Sequence, residues 1–246
     1  MSIVPKVAAF LKENAPESVF RAAKFAYNKV IRANKTTDEL NFWLMQHIRN
    51  GGKFENAHYE RVMLEMARDI GREGLAGKTV CDFGCGPRGT LAWLADEAHC
   101  IGLDVLIPGY LAKFPEDLRQ HGMTYVGCSE TFIPIASDTI DVMYTLNALD
   151  HVNDLPLMCG ELMRVIKPGG YLFGSFNLGE EQTITEPQTL DEEKLDRVLF
   201  HGFEELSRRT AAKFKDDVYG GFFGREMPDD YDGPMVLWFA GRRKDG

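Results

Sequence analysis

Thr79-Val80-Cys81-Asp82-Phe83-Gly84-Cys85-Gly86-Pro87-Arg88-Gly89-Thr90 is the stretch on which the fold turns. Val80, Cys81 and Phe83 form a short apolar run with an acid, Asp82, near its end. The run breaks into glycines at 84, 86 and 89, then meets a helical pattern in Leu91, Leu94, Ala95 and Ala98. Strand, glycine turn and helix over 90–97 is the expected order. A backbone that must approach a ligand closely, with at least one residue at positive φ, leaves no room for a Cβ, so glycines belong there. Free N–H groups at a helix start then favour the negative end of whatever binds.

Gly84-Cys85-Gly86-Pro87-Arg88-Gly89 matches the dinucleotide fingerprint G-x-G-x-x-G, and Asp104 falls where a ribose-binding acid is expected. Two details turn the reading away from NAD. Asp82 puts a carboxylate where a pyrophosphate would sit, which suits a ligand presenting an ammonium and a sulfonium better than one presenting phosphates. The turn also lies well inside the chain, behind a long helical preamble. An NAD-dependent oxidoreductase is therefore the third reading.

Asp82-x-Gly84-x-Gly86, with Asp104 closing the next strand, resembles motif I and the second-strand acid of the class I S-adenosylmethionine (SAM) methyltransferases. Later stretches agree in order: Pro134 and Asp138 before Ile140-Asp141-Val142-Met143, then Asn147 to Val152, then Arg164-Val165-Ile166-Lys167-Pro168-Gly169-Gly170-Tyr171. The resemblance implies an α/β Rossmann-like fold: a seven-stranded, mostly parallel sheet with helices on both faces, its last strand antiparallel. Residues 1–74 would form an N-terminal helical cap and 75–246 the methyltransferase domain. It implies SAM as cofactor, held by Asp82, Gly84, Cys85 and Gly86, with Asp104 on the ribose hydroxyls and Asn147 at the methionine end. The family often has an Asp where Cys128 stands, touching the adenine amino group. Here that contact passes to Ser129, Glu130 or a backbone carbonyl. Helices ahead of motif I tend to lie over the cofactor cleft, so Tyr59 and His58 are candidates for a lid, with core packing the other reading of Tyr59. Trp43 is expected in the core.

Asp150-His151 is the carboxylate and imidazole pair at the end that faces the methyl group in the resembled fold. A hydroxyl nucleophile must lose a proton, and a His titrating near neutrality is the natural base. The other reading makes His151 a helix cap or pocket wall. The chain has no Asn/Asp-Pro-Pro-Tyr after its fourth strand, no Pro-Cys nucleophile and no magnesium-binding acidic cluster of metal-dependent O-methyltransferases. No metal is expected, and small molecules or sugars remain as acceptors. Gly-Pro-Arg-Gly, Asn-Ala-Leu-Asp-His-Val and the loop Thr185–Leu190 are similar to a bacterial subgroup associated with polysaccharide and glycan assembly. Glu186 or Gln188 could bond a polar acceptor there. Acids and aromatics mixed over residues 216–232 fit either a sugar site or a hairpin between the last two strands.

With 246 residues, 44% of them hydrophobic, the chain can bury a full core. No apolar run approaches a membrane span and the first residues lack a signal peptide's pattern, so a cytoplasmic protein is expected. Five cysteines without zinc spacing read as reduced core residues. A net charge of −9 argues against nucleic acid. Charge is uneven: through Lys35 there are seven lysines and arginines against two glutamates. Residues 5–33 alternate apolar and basic positions at helical spacing, predicting amphipathic helices that pack on their own domain, pair two subunits in a homodimer, or lie on an anionic membrane. Thr36-Thr37-Asp38-Glu39 has capping-box spacing, predicting a helix start at Thr36. The function expected is SAM-dependent methylation of a small polar molecule or sugar at oxygen. The alternative is a SAM-binding scaffold without catalysis, docked through its basic N-terminal helices.

Overall fold

The computed structural model describes residues 35–245. The basic stretch 5–33, with its membrane, homodimer and docking readings, lies outside the described residues. The first described helix, α1, covers 35–49. There follow α2 (Ala57–Met66), α3 (Gly71–Leu75), β1 (Thr79–Phe83), β2 (His99–Asp104), α4 (Ile107–Lys113), α5 (Pro115–Gln120), β3 (Thr124–Gly127), β4 (Ile140–Leu146), α6 (Leu155–Val165), β5 (Ile166–Leu178), α7 (Glu192–Val198), β6 (Phe203–Ala212) and β7 (Met235–Arg243). No helix among them is long and apolar enough to cross a membrane.

The seven strands form one sheet in the order β3-β2-β1-β4-β5-β7-β6. Strands β1 to β5 pair in parallel; β7 runs antiparallel to both β5 and β6. This is the Rossmann-like sheet the motifs imply. β1 is buried on both faces, hence its apolar run rather than an alternation. On one face α2 and α3 bury Val62, Met63 and Leu75 against Val80, Tyr144 and Phe173. On the other, α6 buries Leu155, Met158 and Leu162 against Met143, Phe176 and Phe239. Each such side chain contributes about 1.5–3 kcal/mol on leaving water. Tyr144, at the centre of β4, donates its hydroxyl to the Met63 carbonyl at 3.1 Å, so α2 is tied to the sheet by a polar bond within apolar packing. The chain order reverses between β2-β1 and β4-β5, and ligands of such sheets bind beyond the strand ends at that switch.

Local structure departs from the stated expectations at residues 90–97 and at Thr36, and is irregular in two further places. The helix expected over 90–97 is a single 3-10 turn, Ala92–Leu94; Leu91 and Leu94, both fully buried, are three residues apart, the repeat of that tighter turn. The helical stretch after β2 is split at Pro115, which lacks an N–H and forces Phe114 out of the helical region, to φ −134° and ψ 44°. β5 starts at Ile166, with a register shift opposite Ile140 and Val142. Thr36 does not start a helix: residues 35 and 36 are already helical. Glu39 points instead to His151, and the buried Lys35 ammonium bonds Glu130 and the His151 carbonyl.

Candidate active site

A cavity of about 630 Å³ opens at the carboxyl ends of β1, β2 and β4, with α1 as one wall. Gly84 leaves β1 at φ +75°, and a Cβ there would lie 2.3 Å from that of Ala148. Gly86 follows at φ +57°, and its Cβ would meet the Trp43 ring at 2.8 Å. The bend is bare because another loop and an indole already fill the space that side chains would need.

Asp82 is buried at the end of β1. Thr90 donates its hydroxyl to Oδ2 at 2.5 Å, while Oδ1 has no partner among the described residues. Burial, opposed by Thr90 and aided by the Asp104 charge, pushes the carboxyl up to about 7. Asp104 closes β2; its Oδ2 accepts from the Gly86 N–H at 3.0 Å and its Oδ1 from the Leu106 N–H at 2.8 Å. These bonds hold it at the cavity wall with one lone pair on each oxygen still to offer. Burial raises it to about 6, the two N–H donors pulling the other way. Asn147 ends β4 at φ +49°, a left-handed conformation that Asn tolerates. Its N–H and its Oδ1 are both tied to Ser175 of β5, at 2.9 and 3.2 Å.

His151 lies just beyond, in the 3-10 turn Leu149–His151. Its Nδ1 bonds Oε1 of Glu39 at 3.2 Å; its Nε2 is 4.0 Å from Asp150 Oδ1 and 3.8 Å from Glu186 Oε1. Burial disfavours the imidazolium, but the three carboxylates outweigh it and raise the pKa. Asp150 is itself held by Asn177 Nδ2 at 3.1 Å. The ligand atoms of Asp150, His151 and Glu186 lie within 4.8 Å of one another, a cluster that loop closure assembles and that sequence spacing does not reveal.

Of the residues named from sequence, Tyr59, Asp82, Gly84, Cys85, Gly86, Asp104, Glu130, Asn147 and His151 all line the cavity. Ser129 does not: it is exposed, and its hydroxyl turns to Thr131 and the Phe132 carbonyl. Trp43, expected in the core, is half-buried and lines the cavity, because Gly86 gives it a flat surface to lie on. The His58 ring lies tilted against those of Tyr59 and Tyr219, with centroids 4.1 and 5.7 Å away. Within the 216–232 stretch, Tyr219 reaches the cavity while Phe222 stacks on Trp238. Sequence reasoning missed Arg88, Lys35 and Glu39, all cavity-lining. Arg88 was legible as a charge inside the glycine turn, whereas Glu39 had been assigned to a cap.

Residues 81–174 match the family model described as Methyltransferase domain. Over this stretch, less than half of its length, the chain is similar to that family. A protein of Mycobacterium sp. (strain JLS) named as an uncharacterized methyltransferase is 31% identical over 103 residues, covering 42% of this chain and 40% of its own length. The chain spans about two fifths of the length of such curated relatives. Among solved structures, geranyl diphosphate C-methyltransferase from Streptomyces coelicolor A3(2), in complex with Mg2+, geranyl diphosphate and S-adenosylhomocysteine, is 15% identical with a TM-score of 0.54, over 75% of this chain and 80% of its own. Haemonchus contortus phosphoethanolamine N-methyltransferase 2, in complex with SAM, is 16% identical with a TM-score of 0.50, over 69% of this chain and 49% of its own. The shared fold is that of the SAM-dependent methyltransferases. The residues present fit SAM: Asp82 has a buried carboxylate oxygen with no partner among the described residues, which an ammonium would satisfy, and the bare bend at Gly84 and Gly86 leaves the backbone open to close approach.

Proposed function

We propose that the chain transfers the methyl group of SAM to an oxygen of a small polar molecule or a sugar. The observation that carries this reading is His151, whose Nδ1 is held by Glu39 and whose Nε2 lies between Asp150 and Glu186 in the same cavity as Asp82 and Asp104. When bound, SAM supplies a methyl carbon on a positively charged sulfur, open to in-line attack by an aligned nucleophile. Asp82, Gly84, Cys85, Gly86, Asp104 and Asn147 hold it, with Tyr59 and Glu130 completing the wall.

An ionised Glu39 only accepts hydrogen bonds, so Nδ1 keeps its proton and the neutral ring offers its lone pair at Nε2. His151 takes the acceptor's hydroxyl proton there, and the surrounding carboxylates stabilise the imidazolium that results. Asp38, Glu39, Glu130, Thr185 and Glu186 line this end of the cavity. Carboxylates accept hydrogen bonds from hydroxyls, which favours a polyhydroxylated acceptor over an apolar one. That Thr185 and Glu186 belong to the loop resembling the glycan-assembly subgroup supports a sugar.

The test is transfer of labelled methyl from SAM to panels of nucleotide sugars, polar hydroxy compounds, amines and lipids. Label on a sugar or hydroxyl oxygen is the expected outcome. Transfer to amines or lipids alone would overturn the acceptor class. Tight S-adenosylhomocysteine binding with no transfer to any panel would leave a non-catalytic scaffold.

A further inference from the structure

Two polar atoms of opposite charge type in this cavity's lining residues are buried without a partner among the described residues: Oδ1 of Asp82 and Nε of Arg88. Both residues belong to the segment that leaves β1, Asp82 two positions before the first glycine and Arg88 between the second and third. Arg88 is half-buried, with its guanidinium carbon 5.4 Å from the centroid of the Trp43 ring. Burial and then the Arg88 charge lower the His58 pKa, while at Tyr59 burial raises the hydroxyl's pKa and the Arg88 charge opposes it. A buried donor left unbonded costs free energy that a ligand acceptor would recover. A guanidinium presents paired N–H donors whose geometry matches a carboxylate.

The tail of SAM is an amino acid, with an ammonium and a carboxylate on one carbon. Asp82 alone accounts for the first group. We propose that Arg88 binds the carboxylate of that tail while Asp82 takes the ammonium, so that the two charges of the glycine turn orient the cofactor and select against nucleosides lacking the tail. This rests on SAM being the ligand of the cavity. It gives Arg88 a role beyond stacking on Trp43, and it explains why a cation lies inside a turn whose other polar side chain is an acid.

The experiment is calorimetric titration of the full chain, as wild type, Arg88→Met and Arg88→Lys, with two probes: S-adenosylhomocysteine, and 5′-deoxy-5′-methylthioadenosine, which keeps the adenosine and sulfur but has no amino-acid tail. Arg88→Met is expected to weaken S-adenosylhomocysteine roughly 10- to 100-fold. The tail-less nucleoside should change by less than about twofold, which also shows that the variant is folded. Arg88→Lys should recover part of the loss, since an ammonium restores the charge without the two-pronged geometry. Equal losses for both probes would overturn the proposal and make Arg88 a prop for Trp43. No loss for either would overturn it too. A wild-type chain that binds neither probe would instead count against the proposed function.

Discussion

Glu39 accepts a hydrogen bond from Nδ1 of His151 at 3.2 Å, across 112 residues of sequence. One residue stands on the helix that walls the cavity and the other beyond the central strand, so cavity and imidazole are assembled together. Glu39 is among the groups that raise the His151 pKa against burial. Activity that needs neutral Nε2 should therefore rise with pH through a value above that of a free imidazole. Glu39→Gln removes one raising charge, and the inflection in kcat against pH should move down. His151→Gln should lower kcat by roughly 100-fold or more with substrate affinity less affected. An unchanged pH profile in Glu39→Gln would remove His151 from the chemistry.

Asp104 serves two masters, since Gly86 and Leu106 already bond its oxygens. Asp104→Ala should weaken S-adenosylhomocysteine by roughly 100-fold or more in calorimetry, as hydrogen bonds to a charged acceptor are each worth about 1.5–3 kcal/mol. It should also lower the melting temperature, because the bend loses its anchor. Unchanged affinity would mean that the ribose lies elsewhere.

Asp82 ties stability to pH. Its carboxyl is raised to about 7, so between the ordinary carboxylate range and pH 7 the folded state binds more protons than the unfolded one. Stability then falls as pH rises through that window. Asp82→Asn should flatten this slope and stabilise the ligand-free protein at pH 8, by an amount on the order of a few kcal/mol. Urea titrations at several pH values measure it. A slope equal to wild type would show that Asp82 is ionised at no cost.

Gly84→Ala should destabilise by on the order of 2–4 kcal/mol, combining the left-handed backbone with a Cβ set 2.3 Å from that of Ala148. Adding Ala148→Gly should relieve the clash and leave the backbone cost. Full recovery in the double variant would mean that φ at this position is free.

Asp150, His151 and Glu186 are close enough to hold a cation, yet Nδ1 of His151 is already bonded to Glu39 and Asn177 already bonds Asp150. Dialysis against EDTA is expected to leave turnover unchanged. A loss restored by manganese would reassign the three as ligands and His151 away from proton transfer.

The sheet was legible because β1, β4 and β7 are apolar runs bounded by turn residues, and burial on both faces writes itself into sequence as such runs. The cofactor end was legible for a related reason: Gly84, Gly86 and Asp104 answer to backbone shape, which is local. What lay beyond reading depends on contacts between distant segments. Glu39 has cap spacing to Thr36, but a partner in the cavity outbids a local cap. Trp43 has the size of a core residue and lies on the flat surface that Gly86 creates. Ser129 follows a strand as a binding residue would, yet the chain bends its hydroxyl into its own turn. The helix after the glycine bend failed because Leu91 and Leu94 fit a tighter winding as well as a regular one.

β7 follows β6 in the chain but sits between β6 and β5. During synthesis β6 therefore emerges with its inner edge exposed, and the half of the sheet built from β1 to β5 ends in an open β5 edge. Both gaps close in one event, when residues 235–243 slot in. A nascent chain stalled before Met235 would carry two unpaired edges at once, the condition under which strands recruit neighbours from other molecules.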